Sequence, residues 1–114
     1  MKKGMLGQGT LYIALIKNDY AGFFYYIPKG CFHSFPYLHL ISVKKAYRNK
    51  GIGKKMLDYL ENVICTNSSK IFLVVADFNP EAKQFYERNG YHQTGILPSL
   101  YRKGITEYLM MKEK

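Results

Sequence analysis

The sequence predicts an α/β fold: a mixed central β-sheet, ordered about β-β-β-α-β-α-β-β, with helices packed on it. Three observations lead there. Two runs of β-forming residues flank a short polar turn in the first quarter of the chain. An apolar strand then runs into a basic loop with two glycines, an amphipathic helix and a continuous apolar run, the order of a parallel strand pair with a right-handed crossover. A second helix with marked ends follows, and two further strand patterns come after it.

Taken in order, residues 1–9 carry lysines and glycines with little periodicity and are expected to form a frayed lead-in. Thr10 to Lys17 (TLYIALIK) reads as a strand, and Asn18-Asp19 as a turn. Ala21 to Ile27 (AGFFYYI) reads as the antiparallel partner in a hairpin. Pro28, Gly30 and Pro36 break the pattern, so 28–36 is expected to be a loop with His33 exposed in it. Tyr37 to Val43 is the third strand. Strict alternation sets Tyr37, His39, Ile41 and Val43 on one face and Leu38, Leu40 and Ser42 on the other. His39 is therefore a titratable group in a mostly apolar strand, either a buried structural histidine or a proton acceptor.

From Gly51 to about Cys65, Ile52, Met56, Leu60, Val63 and Ile64 recur at helical spacing beside Leu57. Lys54, Lys55, Asp58, Glu61 and Asn62 take the other face. A polar loop over 66–69 leads to Lys70–Ala76 (KIFLVVA), which reads as a strand buried on both faces. Asn79 is then a good N-cap, Pro80 suits the first helical position, Glu81 favours the positive end of the dipole, and Gly90 supplies a left-handed stop. Ala82, Phe85, Tyr86 and Asn89 lie along one stripe of this helix. Tyr91 to Ile96 reads as a strand, 97–104 as a loop around Pro98, and Ile105 to Lys112 (ITEYLMMK) as the last strand.

At 114 residues and 47% hydrophobic, the chain fits one domain, 1–114, and its composition argues against disorder. Cys31 and Cys65 form no metal or redox spacing and are expected to be reduced thiols in a cytoplasmic protein, with no metal site. No apolar run approaches a membrane span and no signal-peptide pattern opens the chain, so no membrane partner is expected.

The net charge of +9 is concentrated. Lys44, Lys45, Arg48, Lys50, Lys54 and Lys55 fall within twelve residues that contain no acid. Gly51 and Gly53 sit in the middle, where the strand gives way to the helix. Main-chain N–H groups at a helix start lack intrahelical partners and point one way, and the dipole adds positive potential there. This is a phosphate or pyrophosphate site in the making. A P-loop reading fails, because Arg48 stands where its first glycine belongs and Lys55 where its Ser or Thr belongs. A dinucleotide fingerprint fails at Met56. What remains is an R-x-x-G-x-G loop, Arg48-Asn49-Lys50-Gly51-Ile52-Gly53. The charge alone suits a solvated face, a phosphorylated cofactor or a nucleic acid, and the glycines favour the cofactor.

These features together resemble the GNAT family, the Gcn5-related N-acetyltransferases. The strand into Arg48-x-x-Gly51-x-Gly53 and its helix carry the resemblance, with Asp77-Phe78-Asn79, Phe85-Tyr86-Glu87, Asn89-Gly90-Tyr91 and the strand ending Glu107 to Lys112. The chain looks like a short member that lacks the usual N-terminal strand and helices.

The resemblance implies acetyl-CoA as co-substrate and a small-molecule or peptide amine as acceptor. It implies that main-chain N–H groups of Arg48, Asn49, Lys50, Gly51, Ile52 and Gly53, extended by Lys54, bind the pyrophosphate. Ile41, Ser42 and Val43 would run beside the pantetheine arm, and Asn79 would contact the cofactor. Tyr86 would be the general acid for the thiolate, and the main chain of the third strand an oxyanion donor. His39 is the leading base, with Tyr37 as a relay and Ser42 and Glu107 as weaker candidates. The missing front elements, with 18 aromatic residues, suggest a homodimer that completes the acceptor pocket. The competing readings are a non-catalytic acetyl-CoA-binding or regulatory domain and, less favoured, a basic nucleic-acid-binding module. The last is weakened because the aromatics are not interleaved with the basic run.

Overall fold

The computed structural model describes residues 1–6 and 9–114, and the chain divides into two compact units, Met1–Ser68 and Ser69–Lys114. Among the described residues the architecture is mixed α/β, with seven strands and two α-helices.

The first unit opens with four antiparallel strands, β1 (Lys2–Leu6), β2 (Gly9–Ile16), β3 (Asp19–Cys31) and β4 (Phe35–Val43), in that spatial order. The expectation of a frayed lead-in is corrected by β1, which pairs with β2 from Lys2↔Ile13 to Leu6↔Gly9. Lysine and glycine are poor strand formers, but backbone pairing to a neighbour overrides that preference. Gly7 and Gln8 of that expected lead-in lie outside the described residues.

The first turn falls one residue earlier than expected: Lys17 at φ 50° and Asn18 at φ 66° make a two-residue hairpin between the paired Ile16 and Asp19, and Asp19 already belongs to β3. The loop expected over 28–36 is instead mostly strand. β3 continues to Cys31 and β4 begins at Phe35, with only a three-residue turn over 32–34, in which Phe32 and His33 take positive φ. The ladder accommodates Pro28, which has no N–H to donate, through an irregularity between Ile27 and Cys31. His33 is exposed as expected.

A β-bulge corrects the predicted face assignment of β4. Tyr25 pairs with Leu40 but Tyr26 pairs with Leu38, so His39 is an extra residue in the ladder. The extra residue flips the alternation. Tyr37, Leu40 and Ser42 share the face of Tyr25, while Leu38, Ile41 and Val43 share the face of Phe24.

The chain then makes a 3-10 turn (Lys45–Tyr47) and enters α1 (Ile52–Tyr59). The helix was expected to run regularly to Cys65, but Leu60–Ile64 widens into a π-turn, closed by Cys65 N–H to the Leu60 carbonyl at 2.8 Å. The wider turn shifts the helical phase. Glu61, expected outside, is buried, and Val63, expected in the stripe, is 58% exposed. Ile52, Met56, Leu57 and Leu60 are buried as expected. The helix packs on β3 and β4, over the face that carries Tyr12, Phe24, Tyr26 and Leu38. Gly22 is required there: a Cβ would lie 2.4 Å from the Ser42 carbonyl oxygen and 3.3 Å from Met56.

The second unit holds β5 (Lys70–Ala76), α2 (Pro80–Arg88), β6 (His92–Leu97) and β7 (Glu107–Glu113). Its strands run β5-β7-β6, each pair antiparallel. Ile71, Phe72 and Leu73 are buried in succession, so β5 is covered on both faces as its composition predicts. Opposite them Met110 is fully buried, and α2 packs on β5.

Both cysteines are buried, and neither forms a disulfide. No helix among the described residues is long and apolar enough to cross a membrane.

Candidate active site

In the first unit, the R-x-x-G-x-G loop follows β4. β4 ends at Val43, and Lys44 donates its N–H to the Ala21 carbonyl at 2.7 Å. Arg48 Nε donates to the Val43 carbonyl at 3.1 Å, tying the loop back to the strand it left. The Val43 carbonyl is thus turned away from β3. The two-residue period of the ladder turns the main chain of Ile41 the same way and that of Ser42 toward β3.

Beyond Arg48 the backbone takes the left-handed region twice, at Asn49 (φ 62°) and at Gly51 (φ 79°). Asparagine and glycine are the residues that tolerate this. Gly51 is the N-cap of α1 and offers no side chain to the helix start. A Cβ built on it meets nothing within 4 Å, so the space beside Gly51 at the helix start is open. The Gly51 carbonyl accepts from Lys55 at 3.0 Å, which closes the first helical turn. The N–H groups that follow Gly51, those of Ile52, Gly53 and Lys54, occupy the first-turn positions, which have no acceptor four residues back. The Lys54 ammonium pairs with Asp58 at 3.1 Å, four residues along the helix. An anion fits this cradle. The donors are backbone, the potential is positive, and no carboxylate occupies the loop.

The same unit presents His39 at its bulge. The side chain is exposed, against the buried alternative, and lies near two rings. The centroid of Tyr37 is 5.6 Å away and that of Tyr25 is 6.0 Å away, the latter edge-on. Ser42 is exposed on that face.

The second unit supplies α2. Asn79 Oδ1 accepts the N–H of Ala82 at 3.3 Å, and Pro80 occupies the first helical position. The cap predicted from sequence is therefore formed, and it engages the carbonyl end of the Asn79 amide. Tyr86 lies mid-helix, its ring 5.4 Å from Phe85 and 6.0 Å from Tyr91. Its carbonyl accepts from Asn89 and Tyr91, which seats the helix end, where Gly90 takes φ 93°. The Tyr86 hydroxyl makes no hydrogen bond to any described residue. Burial pushes the phenol up to about 12; like an ordinary tyrosine it is protonated at neutral pH, the state a proton donor needs. Glu107 is buried at the start of β7, opposite Ala76.

Three contacts escaped the sequence reading. The Asp77 N–H donates to the Thr106 carbonyl at 2.8 Å, and Asp77 Oδ2 accepts from Thr106 N–H at 3.2 Å. This pins the start of α2 to the start of β7. The Tyr47 hydroxyl donates to Asp19 across 28 positions, and Tyr25 flanks His39. Only the fold brings these pairs together, and no local pattern marks them. Among the described residues, no three His, Cys, Asp or Glu side chains converge to hold a metal ion.

The domain family described as the acetyltransferase (GNAT) domain matches residues 7–93, reaching into both units. Two curated proteins are similar in sequence. An uncharacterized N-acetyltransferase of Methanocaldococcus jannaschii is 41% identical over 80 residues, which cover 67% of this chain and 51% of that protein. An uncharacterized protein of Mycobacterium leprae is 34% identical over 77 residues, 67% of this chain and 21% of that protein. The chain thus matches about half of one relative and about a fifth of the other. Among solved structures, a Bacillus anthracis protein designated a streptothricin acetyltransferase, in complex with acetyl coenzyme A, superposes with a TM-score of 0.82. It is 24% identical, over 96% of this chain and 64% of its own. A GNAT-family acetyltransferase of Bacillus cereus gives 0.75 at 25% identity, over 95% of this chain and 71% of its own. The fold is that of the acetyltransferases. The chain belongs to the GNAT acetyltransferase family.

Proposed function

We propose that this protein is an N-acetyltransferase that moves the acetyl group of acetyl-CoA to a primary amine of a small molecule or peptide. One observation carries the reading: an open cradle of backbone donors at the start of α1, formed by a left-handed Gly51 in an R-x-x-G-x-G loop, in a chain of this family. When bound, acetyl-CoA supplies an acetyl group already activated as a thioester. The chain's own groups do the rest. The main-chain N–H groups of Gly51 to Lys54 hold the pyrophosphate, and Arg48 keeps the loop against β4. Ile41 and Val43, turned away from β3, offer main-chain groups to the pantetheine arm and an N–H to the carbonyl oxygen on which charge develops. Asn79 has its Nδ2 donors for the cofactor, since its Oδ1 is engaged in the cap.

His39 takes the proton of the attacking amine, with Tyr37 beside it as the relay. Tyr86 gives its proton to the departing thiolate. The rings of Tyr25 and Tyr37 flank the acceptor side of His39.

The test is release of free thiol from acetyl-CoA with a panel of amines that includes alkylamines, arylalkylamines and amino-terminal peptides. The expected result is turnover with at least one amine and a drop of about 10²-fold in His39→Ala, the range for losing a positioned base. A non-catalytic binding domain gives tight acetyl-CoA binding and no turnover across the panel.

A further inference from the structure

The phosphate loop has a brace outside the motif. Asp19 is the first residue of β3, directly after the left-handed pair Lys17 and Asn18. Such a turn fixes the register of the hairpin and so the position of the residue that follows it. Tyr47 is the last residue of the 3-10 turn that leads into Arg48. Its hydroxyl donates to Asp19 Oδ2 at 2.5 Å, a short bond of the charge-assisted kind. The bond marks both groups. The Tyr47 hydroxyl, with Lys44 behind it, holds the Asp19 carboxyl below the usual carboxylate range, and Asp19 in turn raises the Tyr47 phenol. The Lys50 ammonium lies 5.7 Å from the centroid of the Tyr47 ring, so the same side chain meets the loop again three residues on.

The segment that carries the donors has little regular structure of its own. The 3-10 turn is three residues long, and Asn49 and Gly51 are both left-handed. Among the described residues two side chains tie it to the sheet: Arg48 to the end of β4, and Tyr47 to the first residue of β3.

We propose that Asp19 and Tyr47 are positioning residues, bracing the 3-10 turn against the first hairpin so that the N–H groups from Gly51 to Lys54 keep the direction an anion needs. The pair acts through the loop and does not touch the ligand. The identity of the anion as the pyrophosphate of acetyl-CoA rests on the reading above.

Tyr47→Phe removes the hydroxyl and keeps the ring under Lys50. Asp19→Ala removes the acceptor. Amide hydrogen exchange at residues 49–54, the melting temperature and the Kd for acetyl-CoA are measured for each, and for the double variant. The expected result is faster exchange confined to that loop, an unchanged melting temperature and a Kd weaker by about threefold to fivefold, the size of an exposed charged pair. The double variant should lose no more than either single one, because both remove the same bond. Unchanged exchange with an unchanged Kd overturns the brace. A wild-type protein that does not bind acetyl-CoA overturns the reading of the anion instead. Exchange then decides the brace alone: faster exchange in Tyr47→Phe supports it and unchanged exchange overturns it.

Discussion

The phosphate loop of the first unit and helix α2 of the second present their chemistry in opposite ways. In the proposed reaction the loop acts through its backbone. Its lysines face solvent or pair with neighbours, as Lys54 does with Asp58, and the feature that matters is a left-handed glycine with open space above it. In the proposed reaction helix α2 acts through side chains, a capping amide at Asn79 and a half-buried phenol at Tyr86. Binding an anion needs several fixed donors, which a helix start already has. Proton transfer needs one group in a defined protonation state, which burial provides. The loop should therefore tolerate changes of charge better than an added Cβ, and α2 should tolerate backbone-neutral changes but not loss of one hydroxyl.

The largest effect that sharpens this contrast is at Tyr86. Tyr86→Phe should lower kcat by about 10²-fold or more while leaving the acetyl-CoA Kd and the melting temperature unchanged, because the hydroxyl bonds no described residue. Thiol-release kinetics and thermal melts check it, and a weakened Kd would move Tyr86 into the binding half. The pH dependence follows from burial. A phenol at about 12 in the fold against 10 in the unfolded chain is neutral in both states below pH 10, so this group adds no pH dependence to stability there. Between pH 10 and 12 the unfolded chain ionises first, and the stability contributed by the neutral buried phenol is lost.

A smaller effect breaks the contrast from the other side. Gly22 lies under α1, outside the loop, yet a Cβ there would meet the Ser42 carbonyl oxygen. Gly22→Ala should cost about 1–3 kcal/mol of stability as an overpacking change, and it should displace β4 where Ile41 and Val43 are proposed to face the pantetheine arm. Urea unfolding reads the stability. A variant as stable as the wild type would mean that β3 and β4 separate at no cost.

How much was legible in the sequence follows the same division. The loop could be read because its signal is local: Gly51, Gly53 and a run of basic residues between a strand and a helix. The cap at Asn79 and the bounds of β5 are local too, and the structure forms both. What could not be read depends on partners elsewhere in the chain. β1 exists because β2 offers it a ladder, against the propensity of Lys2, Lys3 and Gly4. The bulge at His39 is set by the register of β3 against β4, and it reverses the face of every residue after it. The π-turn that buries Glu61 and exposes Val63 shifts a helical phase that had matched its apolar stripe. The Tyr47 to Asp19 bond spans 28 positions and has no spacing rule behind it.

The central claim is that the start of α1 holds acetyl-CoA by its backbone. Calorimetric titration of acetyl-CoA into the wild type and Gly51→Val, at low and moderate salt, tests it most directly. A valine at φ 79° strains the backbone by about 1–2 kcal/mol and fills the open space above the donors. The account predicts one defined stoichiometry for the wild type and at least tenfold weaker binding for the variant, with both proteins folded. Equal affinity in the two, or no binding by the folded wild type, would contradict it.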